Sequence, residues 1–247
     1  MKNSTRSLSI AVALLGVMIA CRGETQTAPA AAPAAAVPAT AGVGVKGVVK
    51  FTGAAPAPVV LKREADPFCA KTKMNDETVV VNPNGTLKNV AVRVIKGAAP
   101  TAAPATPQQI VVDQNNCMYR PRVTTAVANQ KIIIRNSDPV LHNVHAYLGT
   151  ATTFNRAQPK GSKDVEQSFT AGVHRLKCDV HPWMTGWVVA NDNSYVAVTG
   201  DNGEFALNLP PGTYTLEAWH EKYGTKTADV TVTAGQTAAV DFSFAGQ

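Results

Sequence analysis

The chain has 247 residues, 45 % of them apolar, and a formal net charge of +6. That length and composition can build one or two domains with packed cores. The Lys and Arg residues are scattered and form no basic run, which argues against nucleic acid as a partner.

Residues 1–21 read as an export signal. Lys2 and Arg6 precede an apolar run over 10–20 that is short for a bilayer span. The run ends Val17-Met18-Ile19-Ala20-Cys21, which resembles a bacterial lipobox, with Met18 where Leu is usual. That resemblance implies lipidation at Cys21 and a membrane-anchored lipoprotein. Ordinary cleavage near Ala20 would instead give a free periplasmic protein. Residues 22–43 are Ala/Pro-rich without periodicity and are expected to be a disordered linker.

A β segment is expected over 44–100. Residues 45–51 alternate loosely, Val79-Val80-Val81 precede the turn Asn82-Pro83-Asn84-Gly85, and Val90, Val92 and Val94 share a face. An Ala/Pro-rich boundary follows at 98–107. Core strands are expected at 110–112, 131–134, 141–148, 173–178 and 186–190, with 149–163 irregular between them. Residues 192–247 repeat the pattern: Phe205, Leu207 and Leu209 alternate, Pro210-Pro211-Gly212 turns the chain, and Tyr214, Leu216 and Ala218 alternate next. The reading is all-β, with almost no helix.

The chemistry concentrates in Cys178-Asp179-Val180-His181-Pro182-Trp183-Met184. Cys178, His181 and Met184 recur at steps of three, and a second imidazole lies upstream. In the 141–148 strand, His142 shares an apolar face with Val140, Val144, Ala146 and Leu148, while His145 falls on the other face. His142 is therefore the inward candidate and His145 the outward one. A thiolate, two imidazoles and a weak thioether form the ligand set of an electron-transfer copper site. A structural zinc site would present more Cys and no Met. His174 shares parity with Cys178 and reads as packing, as does Trp187. No paired carboxylates or Ser/His/Asp grouping stand out. Lys177 and Asp179 flank Cys178, where an oxidase cluster would want histidines. The chain reads as a non-enzyme.

The pieces Ile110-Val111-Val112-Asp113, Met118-Tyr119, Pro139-Val140-Leu141-His142-Asn143-Val144-His145 and the ligand loop resemble the cupredoxin family of blue copper proteins, in its amicyanin-like short-loop form, over residues 108–190. The resemblance implies a Greek-key β-sandwich with one copper held by His142, Cys178, His181 and Met184. It also implies that Asn143 and Pro182 steady the ligand loops, and that His181, Pro182 and Trp183 form an open docking face. A carrier needs a redox-protein donor and acceptor, for example a cytochrome or a dehydrogenase, but the family's own partner is not carried over, because no residue here encodes it.

Val198-Thr199-Gly200-Asp201-Asn202-Gly203-Glu204-Phe205 and Leu209-Pro210-Pro211-Gly212-Thr213-Tyr214 resemble carboxypeptidase regulatory-like domains, which have a small transthyretin-like β-sandwich. That second sandwich either follows the copper domain or is split around it, with 44–100 pairing to 192–247. Cys69 and Cys117 have no ligand spacing and form a candidate disulfide in an exported chain. Two buried free thiols are the other reading. Trp219 is a candidate for stacking on carbohydrate, with packing between domains as the other reading. The functional expectation is an exported one-electron carrier. The alternative is a non-catalytic envelope module, binding carbohydrate or protein, whose copper domain is structural or sensory.

Overall fold

The computed structural model describes residues 44–102 and 109–246. The expected signal at 1–21, the Cys21 anchor and the 22–43 linker lie outside these residues, as does part of the 98–107 boundary. In chain order the strands are β1 (Gly44–Thr52), β2 (Ala91–Lys96), β3 (Ile110–Asn115), β4 (Met118–Arg120), β5 (Val123–Val127), β6 (Lys131–Asn136), β7 (His142–Leu148), β8 (Ala151–Gln158) and β9 (Val165–Ser168). They continue as β10 (Gly172–Lys177), β11 (Thr185–Asn191), β12 (Val196–Val198), β13 (Glu204–Leu207), β14 (Gly212–His220), β15 (Gly224–Val232), β16 (Thr237–Ala239) and β17 (Phe242–Ala245). Among the described residues the one helical element is a 3-10 turn at Cys69–Lys71.

The strands form two sandwiches. One packs the sheet β5-β11-β10-β7-β8 against the sheet β4-β3-β6-β9. Its core follows the alternation of its strands: Ile132 and Ile134 of β6, Val144 and Ala146 of β7, and Leu176 of β10 are fully buried. The other sandwich is discontinuous in sequence. β1 pairs antiparallel with β13 and parallel with β16 and β17. β2 lies between β12 and β14, with β15 beyond. The first sandwich is therefore inserted between two halves of the second. Val45, Val49, Phe51, Val92 and Val94 share one core with Phe205, Leu216, Phe242 and Phe244.

Two expectations about elements are corrected. Residues 149–163, expected to be irregular, contain the eight-residue β8, paired along the whole of β7. β8 is an edge strand exposed along most of its length, so it carries no apolar alternation. Residues 79–81 form no strand; Val81 makes one isolated bridge to Leu87 around the turn. Leu148, expected in the core with the inward residues of β7, is 37 % exposed, because it is the last residue of the strand and lies at the end of the sheet.

The stretch between β1 and β2 does not all belong to the split sandwich. Residues 54–78 form a strap that packs on the inserted sandwich. Arg63, 2 % exposed, donates from Nη1 to the Thr72 carbonyl (2.9 Å) and from Nη2 to the Asn116 carbonyl (2.5 Å). Cys69 and Cys117 are joined by a disulfide with Cα atoms 5.7 Å apart. The two sandwiches meet through Trp187 and Trp219, edge to face with centroids 5.0 Å apart, beside buried Ala91, Val123 and Val189. Trp219 is therefore packing, as the second reading of that residue had it. A buried ion pair, Arg122 Nη2 to Glu221 Oε2 at 2.8 Å, spans the same boundary.

Candidate metal centre

β7 begins at His142, β10 ends one residue before Cys178, and a tight loop carries His181 and Met184 before β11 begins. The Met184 amide donates to the His181 carbonyl (2.9 Å), which closes the loop on itself. Tyr119 holds the two ligand-bearing strands together. Its buried hydroxyl lies 2.6 Å from the Asn143 carbonyl and 2.9 Å from the Lys177 carbonyl, the residues beside His142 and Cys178.

His142, Cys178 and His181 converge. His142 Nδ1 lies 2.9 Å from His181 Nδ1, and Cys178 Sγ lies 3.8 Å from the same nitrogen. All three residues are at most 1 % exposed, and Met184 is fully buried in the same cluster. The far nitrogen of each ring faces a carboxylate: His142 Nε2 lies 2.9 Å from Asp138 Oδ2, and His181 Nε2 lies 3.3 Å from Asp66 Oδ2. These partners assign the proton of each neutral imidazole to Nε2, which leaves both Nδ1 lone pairs facing each other and the sulfur. Opposed lone pairs at that distance repel unless a proton or a metal cation lies between them. The donor set of one thiolate, two imidazole nitrogens and a buried thioether fits copper.

Asp138 is held on every side. Its Oδ1 accepts the Asn116 amide and its Oδ2 the Cys117 amide, both at 2.7 Å, and its own amide donates to Asn136 Oδ1. Burial pushes its carboxyl up, but His142 and these amides outweigh that and hold it below the ordinary carboxylate range. Burial would lower His142; Asp138 and Cys178 reverse the balance and raise it. Burial would raise the Cys178 thiol, yet His142 and the amides of Asn143, His181 and Val180 bring it below its usual value, toward the thiolate that binds metal. His181 is lowered, by burial first and by the neighbouring His142, against the opposing pull of Asp66.

Asn143, expected to steady the loops, joins them. Its Oδ1 accepts the Asp179 amide (2.6 Å) and its Nδ2 donates to Asp179 Oδ2 (2.8 Å). His145 lies on the other face of β7, with Asp179 at 3.0 Å and Thr152 at 2.9 Å. His174 is buried beside Phe169, its Nε2 on the Thr170 carbonyl (2.8 Å), outside the donor cluster.

The expected docking face is corrected. His181 is 1 % exposed, because the strap places Asp66 against its outer edge. Pro182 is exposed. Trp183 is half-buried, its ring 5.0 Å from His181 and its Nε1 donating to the Cys117 carbonyl (3.2 Å). Asp66 and Asp138 received no role from the sequence. Asp138 lies four residues before His142, but in a loop where a separation of four implies no shared face. Asp66 lies 76 residues before His142 with no periodic pattern around it, and its one clue is Cys69 three residues on.

Comparisons with known proteins follow this division. Residues 187–245 match the family model of the carboxypeptidase regulatory-like domain. That match begins in β11 of the inserted sandwich and omits β1 and β2, which complete the sheets. Among solved structures, a reduced amicyanin variant is 26 % identical over 40 % of this chain and 98 % of its own, with a TM-score of 0.31. Amicyanin from Paracoccus versutus (Thiobacillus versutus) is 23 % identical over 40 % of this chain and 97 % of its own, at 0.31. A purple cupredoxin from Nitrosopumilus maritimus is 24 % identical over 34 % of this chain and 100 % of its own, at 0.30. No curated protein matches. The chain is thus similar to carboxypeptidase regulatory-like domains over residues 187–245, to amicyanins over 40 % of its length and to another cupredoxin over 34 %.

Proposed function

We propose that the protein is an exported copper protein that carries one electron at a time between redox partners. The observation that carries this reading is the convergence of His142 Nδ1, His181 Nδ1 and Cys178 Sγ, with both Nε2 atoms already committed to carboxylates. Cys178, His142 and His181 would hold the ion, with Met184 as the fourth, weak ligand. Copper bound there supplies a single electron, alternating between its cuprous and cupric states.

The residues themselves supply rigidity. Asp138 fixes the His142 ring, Asn143 fixes the backbone next to Cys178, and Tyr119 pins β7 to β10. A site held on all sides keeps its geometry between oxidation states, so little rearrangement accompanies transfer. The disulfide between Cys69 and Cys117 supports an oxidising compartment, in keeping with export and anchoring at Cys21.

The test is spectroscopic. Purified full-length protein given Cu(II) should take on an intense visible colour from thiolate-to-copper charge transfer and show a reversible one-electron wave. Cys178→Ala should abolish the colour. A colourless parent protein, or colour unchanged in the variant, removes the reading.

A further inference from the structure

We propose that Asp66 is a positioning residue of the metal centre, holding the imidazole of His181 in its metal-binding tautomer from a strap that the Cys69–Cys117 disulfide clamps over the site. The inference rests on the copper reading and goes beyond it. It assigns a role to a segment outside the four ligands and outside the sandwich that bears them.

Asp66 is not a surface carboxylate that happens to lie near a ring. Its Oδ1 accepts the amides of Phe68 (2.8 Å) and Cys69 (3.1 Å) at the start of the 3-10 turn, which aims Oδ2 at His181 Nε2. The Ala70 amide donates to the Asp66 carbonyl (2.9 Å), and the Asp66 amide to the Arg63 carbonyl (3.3 Å). Arg63 in turn ties the strap to Asn116. Each carboxylate that holds a ring also binds the backbone of one disulfide cysteine, Asp66 at the Cys69 amide and Asp138 at the Cys117 amide. The disulfide therefore sets the spacing of the two carboxylates, and through them the approach of two rings whose Nδ1 atoms are 2.9 Å apart. A carboxylate behind a ligating imidazole fixes its orientation and strengthens it as a donor; losing such a partner typically costs about 10- to 100-fold in metal affinity.

The isosteric variant discriminates best. In Asp66→Asn, Oδ1 can keep the two turn amides, which leaves the Nδ2 donor facing His181 Nε2. Two donors cannot face each other, so the ring should move its proton to Nδ1, the atom proposed to bind metal. In the metal-free full chain at neutral pH, long-range 1H–15N NMR should report the Nε2–H form of His181 in the parent and the Nδ1–H form in Asp66→Asn. Loss of Cu(II) to EDTA should be about 10- to 100-fold faster in the variant, at an unchanged melting temperature. Should that variant fail to fold, Asp66→Ser keeps one oxygen for the turn amides and removes the one facing His181. It should give mixed tautomers and faster copper loss. An unchanged His181 tautomer with copper release within twofold of the parent overturns the proposal. If the parent binds no Cu(II), the copper reading fails, and the tautomer measurement alone then decides the role of Asp66.

Discussion

His220 and His142 are both buried at the level of single side chains, and their surroundings drive them in opposite directions. His142 has a carboxylate behind it and is raised. His220, 1 % exposed between Tyr223 and Phe244, has no carboxylate bonded to it among the described residues; its Nδ1 accepts the Lys222 and Tyr223 amides (3.2 and 3.4 Å). Burial, then the Arg122 and Lys222 charges, push its pKa down to about 4. The unfolded chain, with an ordinary imidazole near 6.5, binds more protons than the native state between those values. Stability from this residue is therefore fully present above about pH 6.5 and is lost as pH falls toward 4, by about 3 kcal/mol in total. His220→Gln should flatten the fall of melting temperature across that window relative to the parent; parallel curves would refute the account. What sequence could reveal at this scale follows the same logic. Strand parity turned His142 inward and His145 outward because alternation is local. Asp66 and Asp138 act on rings that reach them only through folding, and no local pattern marks them.

Among the elements, the strap between β1 and β2 is the one whose form is hardest to read from its residues. It has little regular structure and an exposed surface over most of its length, so neither period applies. Its order comes from Arg63, from Asp66 and from the cross-link between Cys69 and Cys117, which are 48 residues apart in sequence. Closing a loop of that length lowers the entropy of the unfolded chain by an amount worth about 4 kcal/mol. The double variant Cys69→Ser/Cys117→Ser should lose stability in the range of about 2–5 kcal/mol by denaturant titration. Its strap amides should exchange with solvent faster than those of β6 and β7. A loss under about 1 kcal/mol would mean that the bridge only decorates a strap already held by its hydrogen bonds. β11 was legible because Val188 and Ala190 alternate inward, but the demand at Gly186 was not. A Cβ there would lie 2.8 Å from Tyr119 Cβ, on the residue that pins the ligand strands.

For the whole molecule, composition and turn signals sufficed for an all-β chain and for two sandwiches, because short alternating runs bounded by Gly, Pro and Asn have few other solutions. Which half pairs with which could not be read from periodicity; only the resemblance of the tail suggested a split. In the structure β1 and β2 occupy interior positions in both sheets otherwise built from 196–245, so the tail lacks part of its core without them. A fragment of 192–247 expressed alone should show no cooperative thermal transition, and a sharp transition would contradict the shared core. The inserted sandwich is joined to its host by the buried Arg122–Glu221 pair and by Trp187 on Trp219.

The bond from the Val48 amide to Asp241 spans 193 residues. A chain delivered N-terminus first presents β1 early, yet β16 and β17, its parallel neighbours, are among the last strands to emerge. By then the donor-bearing half, complete at Asn191, has every strand it needs. The earliest strand must wait with its edges bare while its enclosed guest assembles, a period in which a chaperone, or a stray strand from another chain, competes for the same hydrogen bonds.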